Sequence, residues 1–232
     1  GVANSYANAF PECDFNAYVC EYPGRGFRRT EKFAMSIEEL AKDALKAIVP
    51  EFDRPYVLFG HSMGSLVAFE LCRALKREKY PLPLLVVLSS SSPNPCDSIM
   101  QCSDVVKTLC EQGWWMGDKT SATPALLSDI EVYKKHVPTK IVEFSSPCLL
   151  VTAEDDKAVS KLDLKKEWSR YIKVMDDLVV MPSPANHFYP LEQTESTVNL
   201  IRSKIRKLFS SRPISVLSGP SFPSTCSLSL SL

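Results

Sequence analysis

Short, mostly apolar runs alternate along the chain with longer stretches in which apolar residues recur every three or four positions. The short runs are residues 15–21 (FNAYVCE), 56–59 (YVLF), 84–88 (LLVVL), 148–152 (CLLVT) and 178–181 (LVVM). Runs of this length without strict polar alternation fit strands covered on both faces. Between them, Ile37, Leu40, Ala41, Ala44, Leu45 and Ile48 form a helical stripe. It is opened by the capping box Ser36-Ile37-Glu38-Glu39 and stopped by Pro50. A second helix runs from Leu66 to about Arg77, a charged one covers 162–170, and Val198, Ile201, Ile205 and Leu208 mark a last one over 194–209. Strands alternating with helices predict an α/β fold, a parallel sheet with helices on both faces.

Two stretches depart from this rhythm. Residues 93–145 are irregular and hold Trp114, Trp115 and Met116, which reads as an insert. Residues 210–232 are rich in Ser and Pro with no helical stripe, which predicts a disordered tail after a single domain over 1–209.

Composition narrows the function. With 232 residues, 45% hydrophobic and 23% charged, the chain is long and apolar enough for a sizeable core. Lys+Arg and Asp+Glu both number 27, so no net charge draws it to nucleic acid or an anionic membrane. No apolar run approaches the ~20 residues of a membrane span. Eight cysteines include no C-x-x-C pair, and three histidines offer no zinc spacing, so no metal site is expected. Several cysteines lie inside strand or helix patterns, as small buried hydrophobes do, and a reduced, cytoplasmic protein is expected.

The chemistry sits at one junction. Gly60-His61-Ser62-Met63-Gly64 matches G-x-S-x-G between a buried strand and a helix, the context of a nucleophile elbow. Ser62 is the candidate nucleophile, and the backbone N–H of Met63 is a candidate oxyanion donor. A serine nucleophile needs a base and an orienting carboxylate, which follow in the order acid then histidine. His187 follows the last strand and is the candidate base. His61 adjoins the nucleophile and is expected to point elsewhere, while His136 lies in the insert. Glu154-Asp155-Asp156 follow the strand over 148–152, and Asp156 is the favoured acid with Asp155 second.

These residues resemble the type II thioesterases, α/β-hydrolases that work beside fatty acid, polyketide and nonribosomal peptide synthases. Tyr22-Pro23-Gly24-Arg25-Gly26-Phe27-Arg28 resembles the family's L-P-G-R-x-x-R segment, with Glu31 as its following acid. Phe59 to Gly64 resembles its elbow, and Leu127-Ser128-Asp129 with Tyr133 a lid segment. Ala153-x-x-Asp156-x-x-Val159 is similar to its acid turn, with Ala in place of Gly. Asn186-His187-Phe188 is similar to its G-H-F, with Asn in place of Gly. The family's first strand has no counterpart, and its A-G-G-like loop falls on Gly1 to Tyr6. The resemblance therefore implies an α/β-hydrolase fold with a short lid over 93–145 and a second oxyanion donor at Val2. It further implies hydrolysis of acyl thioesters on a carrier-protein phosphopantetheine arm or CoA, without cofactor. The implied partners are an acyl carrier protein or peptidyl carrier domain. Arg25 and Arg28 would contact the carrier or form structural ion pairs. A carboxylesterase or lipase, a malonyl-transacylase-like enzyme and a non-catalytic interaction module remain alternatives.

Overall fold

A computed structural model describes residues 15–51, 55–94, 119–138, 145–159, 163–173, 175–210 and 226–231. Five strands stand where the apolar runs predict them: β1 Phe15–Cys20, β2 Tyr56–His61, β3 Leu85–Ser89, β4 Cys148–Ala153 and β5 Met175–Met181. The helices are α1 Ile37–Ile48, α2 Met63–Arg77, α3 Lys119–Lys135, α4 Leu164–Ser169, the short α5 Tyr189–Glu192, and α6 Thr194–Ser210. A sixth strand, β6, spans Cys226–Ser231. The sheet order is β1-β6-β2-β3-β4-β5, with every paired neighbour parallel.

Alternation along each strand divides the core. Leu58, Val86, Leu88, Cys148 and Leu150 face α1, α2 and α4. Val57, Phe59, Leu85, Val87, Leu149 and Val151 face α5 and α6, with Tyr189, Val198 and Ile201. Both faces are covered, which is why β2 and β3 read as continuous apolar runs. Ser36 caps α1 as its sequence predicts, its Oγ accepting from the Glu39 N–H at 3.1 Å.

Two elements correct the sequence reading. The stretch expected as a disordered tail contains β6, which pairs with β1 (Phe15↔Cys226 to Cys20↔Ser231) and with β2 (Tyr56↔Ser227 to Gly60↔Ser231). Its backbone satisfies groups that β1 and β2 would otherwise leave open at the centre of a sheet. The alternating Cys-Ser-Leu-Ser-Leu-Ser pattern has strand period, but the Ser/Pro-rich surroundings mask it. The insert, expected to be irregular, contains the 17-residue helix α3. Trp114, Trp115 and Met116, and the chain before residue 15 with Val2, lie outside the described residues.

Candidate active site

Because every strand runs the same way, the loops after β1, β2, β3, β4 and β5 emerge at one edge of the sheet. Ligand sites of open α/β sheets form at the carboxyl ends of the strands. Ser62, Asp156 and His187 follow β2, β4 and β5 and so share that edge.

Ser62 sits between β2 and α2 with φ 54 and ψ −124, a left-handed conformation that a serine adopts only under constraint. Its N–H donates to the Ser89 carbonyl at 2.8 Å, and its own carbonyl accepts from the Ser65 N–H at 3.0 Å. Ser65 Oγ lies 2.9 Å from the carbonyls of both Gly60 and Ser89 and accepts from the Ser89 N–H at 3.1 Å. The turn is tight enough that a Cβ on Gly60 would stand 2.2 Å from the Gly64 carbonyl oxygen. Gly60→Ala is therefore expected to displace the start of α2, cost about 3 kcal/mol in urea unfolding, and remove activity. Met63 opens α2, so its N–H belongs to the first-turn donors with no intrahelical acceptor. Ser62 Oγ makes no hydrogen bond among the described residues. Catalytic contacts of this kind often tighten only with substrate bound.

The three acids after β4 take different positions. Asp156 is fully buried and stands against His187, whose Nδ1 lies 3.0 and 3.1 Å from its two carboxylate oxygens. It also accepts from the Ala158 N–H at 3.0 Å. Burial, the largest single effect, pushes the Asp156 carboxyl up, but the hydrogen bonds it accepts, that of His187 foremost, and the His187 charge together hold it below the usual range. Asp155 accepts instead from Ser183 Oγ and the Ala185 N–H, and Glu154 from the Ser183 N–H. Those two acids fasten the turn that leads to His187, so the structure brings Asp156, and not Asp155, to the histidine.

Asn186, where the resemblance expects Gly, is not in the left-handed region. Its Oδ1 accepts from the Phe188 N–H at 2.7 Å, an Asx turn that presents His187. His61, expected to point away, packs against His187 with ring centroids 4.9 Å apart. Its Nδ1 is 2.8 Å from Ser89 Oγ, which is 2.6 Å from the Tyr189 hydroxyl. Burial, with His187 beside it, pushes the His61 pKa well below the ordinary value, so a neutral ring supports the candidate base. The sequence reading assigns no role to Ser89 or Tyr189, which meet His61 only through the fold.

Arg25 and Arg28 both stand in ion pairs. Arg25 clamps Asp129 of α3 with two bonds at 2.5 and 2.6 Å and lies 5.3 Å over the Tyr22 ring. Arg28 pairs with Glu31 and Asp43. The α3 helix is thus fastened to the loop after β1, and its Tyr133 hydroxyl reaches Ser91 Oγ at 3.1 Å. Away from Ser62, Glu38, Glu70 and His136 present ligand-type atoms within 4.8 Å of one another. Arg73 binds both Glu70 oxygens at 2.7 and 2.9 Å, so the cluster already holds a cation of its own.

Comparison with known proteins identifies the family and the fold. A thioesterase-domain family model matches residues 4–205. The probable anguibactin biosynthesis thioesterase AngT of Vibrio anguillarum is 27% identical over 207 residues, covering 80% of this chain and 79% of that protein. The human S-acyl fatty acid synthase thioesterase, medium chain, is 27% identical over 205 residues, covering 80% and 74%. The structure of YbtT, a type II thioesterase from the yersiniabactin pathway, superposes over 90% of both chains with a TM-score of 0.72 at 22% identity, which shows the shared α/β-hydrolase fold. The chain belongs to the thioesterase family.

Proposed function

We propose that the chain hydrolyses acyl thioesters by a serine mechanism in which Ser62 is the nucleophile, His187 the general base and Asp156 the orienting acid. The observation that carries this reading is the buried Asp156–His187 pair on the sheet edge where the strained Ser62 turn emerges. Ser62 Oγ attacks the thioester carbonyl while His187 Nε2 takes its proton, and the Met63 N–H receives the developing oxyanion. We assign the second oxyanion donor to the backbone of Val2, from the family resemblance. The C–S bond breaks, and the thiolate leaves with the proton returned by His187. Water, deprotonated by His187, then attacks the acyl–serine ester and releases the acid. Asp156 accepts from Nδ1–H throughout, which keeps Nε2 free for these transfers. No step needs a metal or organic cofactor.

The acyl group arrives on the phosphopantetheine arm of an acyl carrier protein or peptidyl carrier domain. The names of the relatives, a probable anguibactin biosynthesis thioesterase and a fatty acid synthase thioesterase, support this reading. We place the enzyme in the cytoplasm: Cys20, Cys72 and Cys148 stand as thiols. Among the described residues no helix is long and apolar enough to cross a membrane.

The test is a pair of rates with matched acyl groups, octanoyl-N-acetylcysteamine against p-nitrophenyl octanoate. It is joined to fluorophosphonate labelling mapped by mass spectrometry. Turnover of the thioester with the adduct at Ser62 is expected. Ester hydrolysis without thioester hydrolysis, or an adduct elsewhere, would overturn the reading.

A further inference from the structure

The sheet register sets a second histidine against the candidate base and ties it down. His61 closes β2 and Ser89 closes β3, and the two are register partners. Both therefore point to the face that Phe59, Val87 and the fully buried Tyr189 occupy. Tyr189 opens α5, and its N–H donates to the Asn186 carbonyl at 3.1 Å, which fixes it to the turn that carries His187. On that face Ser89 Oγ stands 2.6 Å from the Tyr189 hydroxyl and 2.8 Å from His61 Nδ1. The Ser89 carbonyl meanwhile accepts the Ser62 N–H at 2.8 Å. One residue thus holds the turn of the nucleophile through its backbone and the neighbour of the base through its side chain.

One order of protons along this chain leaves the fewest groups unpaired. Each hydroxyl has a single proton, and a neutral imidazole carries one on either nitrogen. When Tyr189 donates to Ser89 and Ser89 donates to His61 Nδ1, both hydroxyl protons are used and His61 bears its own on Nε2. In the reverse order, from Nδ1–H through Ser89 to Tyr189, the tyrosine proton has no acceptor among the described residues and the Nε2 lone pair is bare. A Ser89 that accepts from both sides leaves its own proton and that lone pair unpaired. His61, Ser89 and Tyr189 are all buried, so every orphaned group is costly. The first order leaves the Nε2–H alone without a partner among the described residues. The titratable groups that face His61 are His187, Asp156 and Tyr189. Burial first, and then His187, outweigh the Asp156 charge and keep the ring neutral.

We propose that Ser89, with Tyr189 behind it, is a positioning residue for the base: its hydroxyl fixes His61 with the proton on Nε2, so that His187 alone takes and returns the proton of Ser62. The proposal rests on the hydrolase reading above. Two imidazoles with centroids 4.9 Å apart would otherwise compete for one proton. With Nδ1 occupied by the Ser89 proton and Nε2 bearing its own, His61 has no free lone pair. It can neither take the Ser62 proton nor draw it from His187 before the thiolate leaves. The other tautomer would bury a bare Nε2 lone pair beside His187, a second base with no orienting acid.

The experiment reads the tautomer and the rate together. The chain has three histidines, His61, His136 and His187, so ¹⁵N-histidine labelling gives a simple two-bond ¹H–¹⁵N spectrum, assigned with His61→Asn and His136→Asn. In wild type His61 is expected to show an unprotonated Nδ1 and a protonated Nε2 from about pH 5.5 to about pH 8.5, without titrating. The double variant Ser89→Ala/Tyr189→Phe removes both hydroxyls and leaves no orphaned oxygen, and its His61 signals are expected to move toward a mixture of tautomers. Its kcat on octanoyl-N-acetylcysteamine is expected to fall about tenfold with KM within about twofold, since Ser89 and Tyr189 are fully buried and do not reach substrate. Tyr189→Phe alone is expected to lose about threefold in kcat. A wild-type His61 that titrates in this range, or that carries its proton on Nδ1, would overturn the proposal without recourse to any variant. So would a double variant with wild-type kcat, or one whose loss lies in KM. A wild type that cleaves no thioester would overturn the hydrolase reading and the proposal with it, whereas the other outcomes overturn the proposal alone.

Discussion

Ser62→Ala is expected to lower kcat for acyl-thioester hydrolysis on the order of 10⁶-fold. The melting temperature is expected to stay within about 2 °C of wild type. The two halves of this result have separate causes. Ser62 Oγ makes no hydrogen bond among the described residues, so its removal breaks no contact. The strained turn is held by backbone: the Ser62 N–H to Ser89 and the Ser65 N–H to Ser62. Alanine adopts φ 54 at a cost similar to that of serine, and the elbow keeps its shape. Activity is lost because no other hydroxyl at the turn is free to attack. Ser65, one helical step on, has its Oγ tied to the Gly60 and Ser89 carbonyls. Thiol release followed spectroscopically, with loss of fluorophosphonate labelling, checks the first half, and thermal unfolding the second. Hydrolysis retained within about 10³-fold of wild type would remove Ser62 from the nucleophile's place.

How much of this was legible in the chain depends on burial. β2, β3 and β4 are covered on both faces, so their apolar runs stand out and their positions follow directly. β5 begins at Met175, three residues before its apolar run, because Asp176 and Asp177 interrupt the pattern. α3 has no comparable stripe in KTSATPALLSDIEVYKK and contains Pro124. Contacts distant in sequence fasten it, Asp129 to Arg25 and Tyr133 to Ser91. β6 was hidden by its neighbours' composition. At the site, the order Ser62, acid, His187 was readable because chain order reflects strand order. The choice between Asp155 and Asp156 was not, since a single residue step separates a carboxylate that meets His187 from one that holds Ser183. The pairing of His61 with His187, Ser89 and Tyr189 depends on side chains from β2, β3, the loop after β5 and the first residue of α5. No local pattern encodes that meeting.

Asp156→Asn separates orientation from nucleophilicity. Asparagine fills the same buried space but offers His187 an amide in place of a carboxylate. The amide NH₂ can face Nδ1 as a donor, which favours the tautomer whose proton sits on Nε2. That tautomer cannot accept the Ser62 proton, and the imidazolium formed during attack loses its counter-charge. A fall in kcat of about 10⁴-fold is expected, with KM changed far less because Asp156 does not reach substrate. Asp155→Asn is expected to leave kcat within about threefold, because its carboxylate serves the Ser183 turn. The Asp156 carboxyl is held below its ordinary range in the folded chain. Its pairing therefore stabilises the fold fully above the unfolded value near about 4, and the contribution fades as pH falls through the lower folded value. Urea unfolding should show the gap between wild type and Asp156→Asn constant from neutral pH down to about pH 5 and closing below about pH 4. A gap that persists into acid would mean that packing, and not ionisation, holds Asp156 against His187. Equal kcat losses in the two asparagine variants would remove Asp156 from its place as the orienting acid.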